Sequence, residues 1–338
     1  RSSDLSGLSF SPDFLWIKCR SNTADHHLAN TLKGINKNLE SNNNGSNQTN
    51  NNNGYISATT SDGFTVVYGG IDGLQTNDNS KTYVAWAWDA ASSTSSNTDG
   101  SITSQVRANQ TAGFSVVAYT GSGSNATVGH GLNAALDFII VKRSGSTGEW
   151  RCWHSALASN QGIDLNGYGI KFTDDSFNNT IPTNSVFSLK GGVANVNASS
   201  SSYVAYCFTS VSGYSSMGQY EANSSADGPF VHTGFRPRWV MVKNIDDTQY
   251  ATAYNWTIVD TARYPVNIPA GDLNALYANS NVDENTYTYG GASTGLAFDI
   301  YSNGFKPRSA SAEINTGNTY LYVAFAENPF QANGGLAR

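Results

Sequence analysis

The sequence predicts an all-β protein built of tandem antiparallel β-sandwich modules of the lectin-like or jelly-roll type. Three observations predict it. The same short apolar segments occur three times in the same order, and ordered repetition points to one unit used repeatedly, not to one large domain. No segment sustains a 3.6-residue apolar period over three turns, and residues 24–39 hold at most one helical turn, whereas Phe187-Ser-Leu189 and Phe298-Asp-Ile-Tyr301 alternate as strands do. Finally, only 13% of the 338 residues are charged. The polarity comes from Ser, Thr, Asn and Gly, which suit turns, while 18 Tyr, 15 Phe and 7 Trp supply material for cores.

Each copy opens on a glycine followed by an apolar residue: Gly7-Leu8, Gly131-Leu132 and Gly234-Phe235. An opening strand follows and ends on lysine, as Phe14-Leu-Trp-Ile-Lys18, Phe138-Ile-Ile-Val-Lys142 and Trp239-Val-Met-Val-Lys243. A late strand is introduced by Asp62-Gly-Phe64 in the first copy and Asn303-Gly-Phe305 in the third, with Asn184-Ser-Val-Phe187 at that place in the second. A tyrosine-led strand closes each copy: Tyr83-Val-Ala-Trp-Ala-Trp88, Tyr203-Val-Ala-Tyr-Cys-Phe208 and Tyr320-Leu-Tyr-Val-Ala-Phe325. The expected modules are 1–90, 102–210 and 214–330. The first is expected to be N-terminally incomplete. Gly113–Tyr119 and Ser216–Tyr220 supply an initial strand to copies two and three, and copy one shows none, so the chain is expected to continue upstream of Arg1.

Two polar stretches read as surface. Ser41–Gly54 is almost entirely Asn, Ser and Gly. With nothing apolar to bury, it is expected to be a surface loop whose removal costs little. Ala90–Ser101 reads as the linker between copies one and two. Trp239 is expected to be core, with Trp239→Ala costing ~3–5 kcal/mol.

The charge and apolar pattern exclude several classes. The net charge is −6 with no basic run, which argues against nucleic-acid binding. No run of 18 apolar residues exists, so no helix inserts in a membrane. Cys19, Cys152 and Cys207 are expected to be buried reduced thiols and not a disulfide framework.

Several segments resemble a β-sandwich family of unknown biochemical activity that recurs in structural proteins of tailed bacteriophages. They are Asp227-Gly-Pro-Phe-Val-His-Thr-Gly-Phe235, Trp239–Lys243, Asn255-Trp256, Asn303-Gly-Phe-Lys306 and Ala324-Phe-Ala-Glu-Asn-Pro-Phe330, with Asn97–Thr103 and Thr127–Leu132 in the second copy. The similarity covers essentially the whole chain, with the Asn-rich insertion as its departure. It implies a tail-fibre or other appendage protein at the virion surface, ending near Arg338. The implied partners are other virion subunits, a homo-oligomer such as a trimer, and a host-surface glycan. The family brings no established catalytic or binding residues.

The middle of each copy carries an aligned pair at i and i+4: His26 and Asn30, Trp150 and His154, Trp256 and Asp260. Trp150, Trp153 and Trp256 are candidate stacking platforms for a sugar, with His154 and Asp260 as hydrogen-bonding partners. The competing reading is a repeated core tryptophan followed by a strand-end polar residue. No catalytic set is identifiable: His154 and Ser155, as strand neighbours, point to opposite faces. No metal motif or phosphate loop is present, and no cofactor is expected. The acidic pairs Asp174-Asp175, Asp246-Asp247 and Asp283-Glu284 read as solvated loop acids, with calcium ligation as the lesser alternative. Asp72, Asn77, Asp78 and Asn79 form a second oxygen-ligand cluster that lacks the spacing of a known calcium loop. Lys18, Lys142 and Lys243 read as strand-end lysines guarding sheet edges.

The leading expectation is a non-enzymatic virion protein for multivalent attachment. A purely structural capsid-decoration or fibre-shaft protein is the second, and an extracellular glycan hydrolase the third.

Overall fold

The computed structural model describes residues 2–49, 52–246, 254–267, 275–284 and 296–328. Among the residues named above, Arg1, Asn50, Asn51, Asp247, Pro329, Phe330 and Arg338 lie outside them. The fold is all-β, with every pairing between named strands antiparallel and no helix among the described residues.

Each copy contributes a large and a small sheet. In the first copy the large sheet runs Gln48–Thr49, Lys37–Leu39, His27–Asn30, Phe14–Cys19, Tyr83–Trp88, and the small one Ser2–Ser6, Gly63–Val67, Tyr55–Thr60. In the second, the order is Phe172–Thr173, Gln161–Asp164, Trp150–His154, Phe138–Arg143, Ser202–Phe208, Phe114–Thr120, Ser104–Asn109, Ser95–Asn97, with Ala126–Gly129 paired to Val186–Leu189. In the third, Leu276–Tyr277, Thr257–Asp260, Pro237–Asn244, Thr319–Ala326 and Ser215–Glu221 form the large sheet, and Val231–His232, Gly304–Pro307 and Phe298–Tyr301 the small one. The tyrosine-led closing strand pairs with the lysine-ended opening strand every time, in matching register: Trp16 faces Trp86, Ile140 faces Tyr206 and Met241 faces Val323.

Local chemistry explains why the motifs repeat. Gly7, Gly131 and Gly234 all have φ between +73° and +98°, where a Cβ is strained. Each closing tyrosine pins the loop before it. Its hydroxyl donates to a carbonyl, of Gly73, Ala194 or Ala312, and accepts from an amide, of Asp78, Ala198 or Thr316. The segment read as a linker supplies an edge strand, Ser95–Asn97, against Ser104–Asn109, so that expectation is corrected: its amides have a ladder partner.

Alternation along the opening strands sends successive residues to two different cores. In the first copy Leu15 and Ile17 pack with Ile56, Phe64 and Val66 between that copy's own two sheets. Phe14 and Trp16 face the other way, into a core shared by all three copies. Val240 and Val242 belong to the third copy's own core, and Trp239 and Met241 to the shared one. The expected burial of Trp239 is found, at 5% exposure. Aromatic contacts cross every boundary: Phe14–Tyr206 at 4.3 Å, Phe208–Phe325 at 5.9 Å and Trp88–Trp239 at 6.0 Å between ring centroids. The large sheets therefore pack on one another as well as on their small sheets.

Candidate functional site

The residue set that repeats most faithfully lies on the shared face, where it fastens the copies into a ring. All three aligned lysines are fully buried. Each ammonium group donates to one carbonyl of its own copy and one of a neighbour. Lys18 reaches Cys19 (2.8 Å) and Asn281 (3.2 Å). Lys142 reaches Gly148 (2.7 Å) and Asn44 (3.0 Å). Lys243 reaches Tyr254 and, at 2.9 Å, Tyr168. Copy one thus holds copy three, two holds one, and three holds two, so the ring closes.

The expectation that these lysines guard sheet edges is corrected. Lys18 lies at i+2 from Trp16 and i+4 from Phe14, on the face that enters the shared core. Burial lowers the Lys18 and Lys142 pKa values to about 8 and that of Lys243 to about 7, nearby carboxylates opposing the shift in each case.

The aligned pairs add two further rings. At their first position the Trp150 indole donates to the carbonyls of Glu40 (3.0 Å) and Asn43 (2.9 Å), and the Trp256 indole to that of Asp164 (3.0 Å). His26 holds this place in copy one. Its Nδ1 accepts the Trp16 indole proton at 2.8 Å, leaving Nε2–H to donate to Tyr277 (2.9 Å) and Ser280 (3.1 Å). The second position bonds in the opposite sense around the ring. Asn30 donates to the Tyr206 hydroxyl (2.9 Å), His154 Nε2 bonds the Tyr322 carbonyl (3.2 Å), and Asp260 accepts from the Trp86 indole (3.3 Å). Asp260 also pairs at 2.7 Å with Arg263, both side chains being 1% exposed.

Burial, reinforced by the Lys18 charge, depresses the His26 pKa to about 3. Burial alone brings His27 and His154 to about 4, against the raising effect of their hydrogen bonds. Both ring imidazoles are therefore neutral donors at pH 7.

Trp150, Trp153, His154, Trp256 and Asp260 are each at most 2% exposed. They expose no ring face and no free polar atom to a sugar, and the proposed glycan site on these five residues is withdrawn. The physical reason is that both faces of the large sheets are covered. Trp153 points into the second copy's own core and donates to Ala158 at 3.3 Å, while the others face the shared core.

The Asn-rich segment is also corrected. Asn42 accepts from the His26 amide at 2.9 Å, Asn43 and Asn44 supply carbonyls to Trp150 and Lys142, and Asn44 accepts the Gly148 amide at 3.0 Å. Gln48–Thr49 extends the sheet. Asn42 has counterparts in Asn166, which accepts from the Trp150 amide, and Asn279, which accepts from the Trp256 amide. Sequence reasoning missed these three asparagines because low-complexity composition hid one and variable loop lengths hid the register of all three.

The acidic groups serve mainly as ion-pair partners. Arg20 grips Glu284 with two bonds of 2.5 and 2.9 Å between copies one and three, Lys171 pairs with Asp246 between two and three, and Arg151 meets Asp174 at 3.1 Å. Among the described residues no group of three or more His, Cys, Asp or Glu side chains is placed to hold a metal ion. All three cysteines are free and buried. Surface aromatics do occur elsewhere: Phe230 (46% exposed) and Tyr301 (38%) meet edge-on at 5.7 Å on the third copy's small sheet.

Comparison with known proteins matches residues 1–329 to a domain of unknown function, DUF7483. No curated protein and no solved structure matches the chain. The chain, matched over nearly its whole length, belongs to the DUF7483 family.

Proposed function

We propose that this chain is a non-enzymatic structural component of a tailed-bacteriophage particle, a three-copy block carried at the virion surface on a tail fibre or another appendage. The phage setting rests on the motif resemblance. The structural role rests on one observation: the polar side chains that repeat in all three copies bond backbone and side chains of the neighbouring copies. A repeated catalytic or ligand site would keep such groups open to a cleft. Repetition here serves cohesion, and its partners are other virion subunits or further copies of the chain. Proteomic analysis of purified particles tests this. The chain is expected in intact virions at a fixed ratio to the other structural proteins, and its presence only in cell lysate overturns the reading.

Host-surface glycan attachment remains a second reading, now favoured by the exposed Phe230–Tyr301 pair and not by the buried tryptophans. Ring faces at a surface stack on sugars, and repeated display multiplies weak binding by ~10²–10⁴. Phe230→Ala with Tyr301→Ala is expected to reduce glycan-array signal and cell adsorption while thermal stability is kept. Unchanged adsorption removes this reading and leaves the structural one standing.

A further inference from the structure

The three closing strands have different surroundings. In copy two the strand Ser202–Phe208 is covered on its outer edge by Phe114–Thr120, and in copy three Thr319–Ala326 is covered by Ser215–Glu221. In copy one Tyr83–Trp88 is, among the described residues, the last strand of its sheet. The amide of Arg20 bonds the carbonyl of Thr82. Ladder alternation then turns Val84, Trp86 and Trp88 toward the opening strand and the backbone groups of Tyr83, Ala85 and Ala87 outward. Exposure follows the difference. Ala85 is exposed and Ala87 half-buried, whereas their counterparts Ala205, Cys207 and Ala324 are fully buried and Tyr322 is buried. Tyr83 is half-buried, but Tyr203 and Tyr320 are fully covered, each stacked on a tyrosine of its covering strand: Tyr119 at 5.1 Å and Tyr220 at 5.2 Å.

We propose that the outer edge of Tyr83–Trp88 is a docking site for one further antiparallel strand, supplied by a segment of this chain preceding Ser2. Strand addition to an open edge satisfies its backbone groups and places alternate side chains in waiting positions. The chemistry of the occupant follows from the other copies. Val116 and Met217 stand opposite Tyr206 and Val323, the counterparts of Trp86, and a tyrosine follows three residues later in both, as Tyr119 and Tyr220. The occupant is therefore an extended segment with an apolar residue opposite Trp86 and a tyrosine, three residues later, opposite Tyr83.

Its place in the chain follows too. In copies two and three the covering strand directly precedes Ala126–Gly129 and Val231–His232, which pair with the strands of Phe187 and Phe305. Ser2–Ser6 holds that position in copy one, with Leu5 opposite Phe64. A groove lined by Leu8, Phe10, Ala85, Ala87, Arg238 and Glu327 runs along the edge.

Hydrogen exchange at the Ala85 and Ala87 amides reads the docking directly, comparing residues 1–338 with the same chain extended by its own upstream residues. The extended chain is expected to slow both amides by roughly 100-fold, as for ladder bonds that open only with local unfolding. Ala85→Pro removes an outward donor, a change an edge strand tolerates and a covered strand does not. It is expected to leave the melting of residues 1–338 nearly unchanged and to abolish the protection gained by extension. Two results overturn the proposal. One is unchanged exchange at Ala85 and Ala87 in the extended chain. The other is a dimer of residues 1–338 that persists in the extended chain and is broken by Ala85→Pro, which assigns the edge to a second copy.

Discussion

At two of the three junctions a tryptophan indole donates to the neighbouring copy's backbone; at the junction of copy one with copy three a histidine does. The geometry is the same. Glu40, Asp164 and Tyr277, the acceptors, each directly follow a residue paired, within its own copy, two positions beyond that copy's own donor residue His26, Trp150 or Trp256: Leu39 with Leu28, Ile163 with Cys152 and Leu276 with Ile258. The chemistry differs. An indole fills its niche with ~150–250 Å² of apolar surface and cannot gain a proton. The imidazole fills less, needs Trp16 to set its tautomer, and carries a proton equilibrium into a buried site. The comparison teaches that the ring constrains a donor at a place, not a residue type. At this place the junction of copies one and three carries a titratable donor, as His154 does in the second ring between copies two and three.

The largest expected effect strikes the indole junctions. Trp150→Ala and Trp256→Ala are each expected to cost ~3–5 kcal/mol, through the cavity and the lost donor, measured by denaturant unfolding. A loss below 1 kcal/mol in either would break the comparison. Removal of residues 42–49 comes next. It withdraws the carbonyls of Asn43 and Asn44 and the Asn42 side chain from His26, Trp150 and Lys142. The His26 and Gly148 amides lose their acceptors at ~1–3 kcal/mol each, while Trp150 keeps Glu40 and Lys142 keeps Gly148, so about 2 kcal/mol or more should be lost; a deletion as stable as the parent would restore the surface-loop reading.

Acid sharpens the comparison. His26, His27 and His154 bind protons near pH 6.5 when unfolded but only near pH 3–4 when folded. The unfolded chain therefore holds more protons in that window. Stability should be intact above pH 6.5 and fall toward pH 4, by up to ~1.4 kcal/mol per pH unit per histidine. His26→Gln keeps a donor for Tyr277 and an acceptor for Trp16 without a titrating proton. It is expected to cost about 1 kcal/mol at pH 7 and to flatten the acid slope of the melting temperature; an unchanged slope would acquit His26.

The smallest effect concerns the lysines, which all three copies share. Their folded pKa values, about 7 to 8, lie below the unfolded value near 10.4, so the folded chain gives up protons first and stability should rise from pH 7 toward pH 10. Lys142→Met trades ammonium desolvation against a donor lost from two carbonyls, of which that of Asn44 keeps the Gly148 amide. It is expected to fall within about 1–2 kcal/mol of the parent at pH 7 and to reduce the alkaline gain, read from melting curves across that range.

How much of this was legible in the sequence differs by residue. The Tyr-led and Lys-ended strands, the buried thiols and the burial of Trp239 were readable because each depends on local pattern. Alternation names two faces, and an apolar run such as Phe138–Val141 says that both are covered. It does not say what covers them. For that reason Trp150 and Trp256 looked available to a ligand, Lys18, Lys142 and Lys243 looked like edge guards, and Ser41–Gly54 looked like solvent-exposed slack.

The sequence by itself therefore determined the unit: an antiparallel β-sandwich with a glycine at its entrance, a lysine-ended opening strand apolar on both faces, and a tyrosine-led closing strand. Only the tertiary structure decided what the second face is for. The carbonyls that receive Lys18, Lys142 and Lys243 from neighbouring copies belong to Asn281, Asn44 and Tyr168. A backbone carbonyl is present at every residue and leaves no mark in the sequence. Its value as a partner exists only once the copies have packed and water has been excluded from around it.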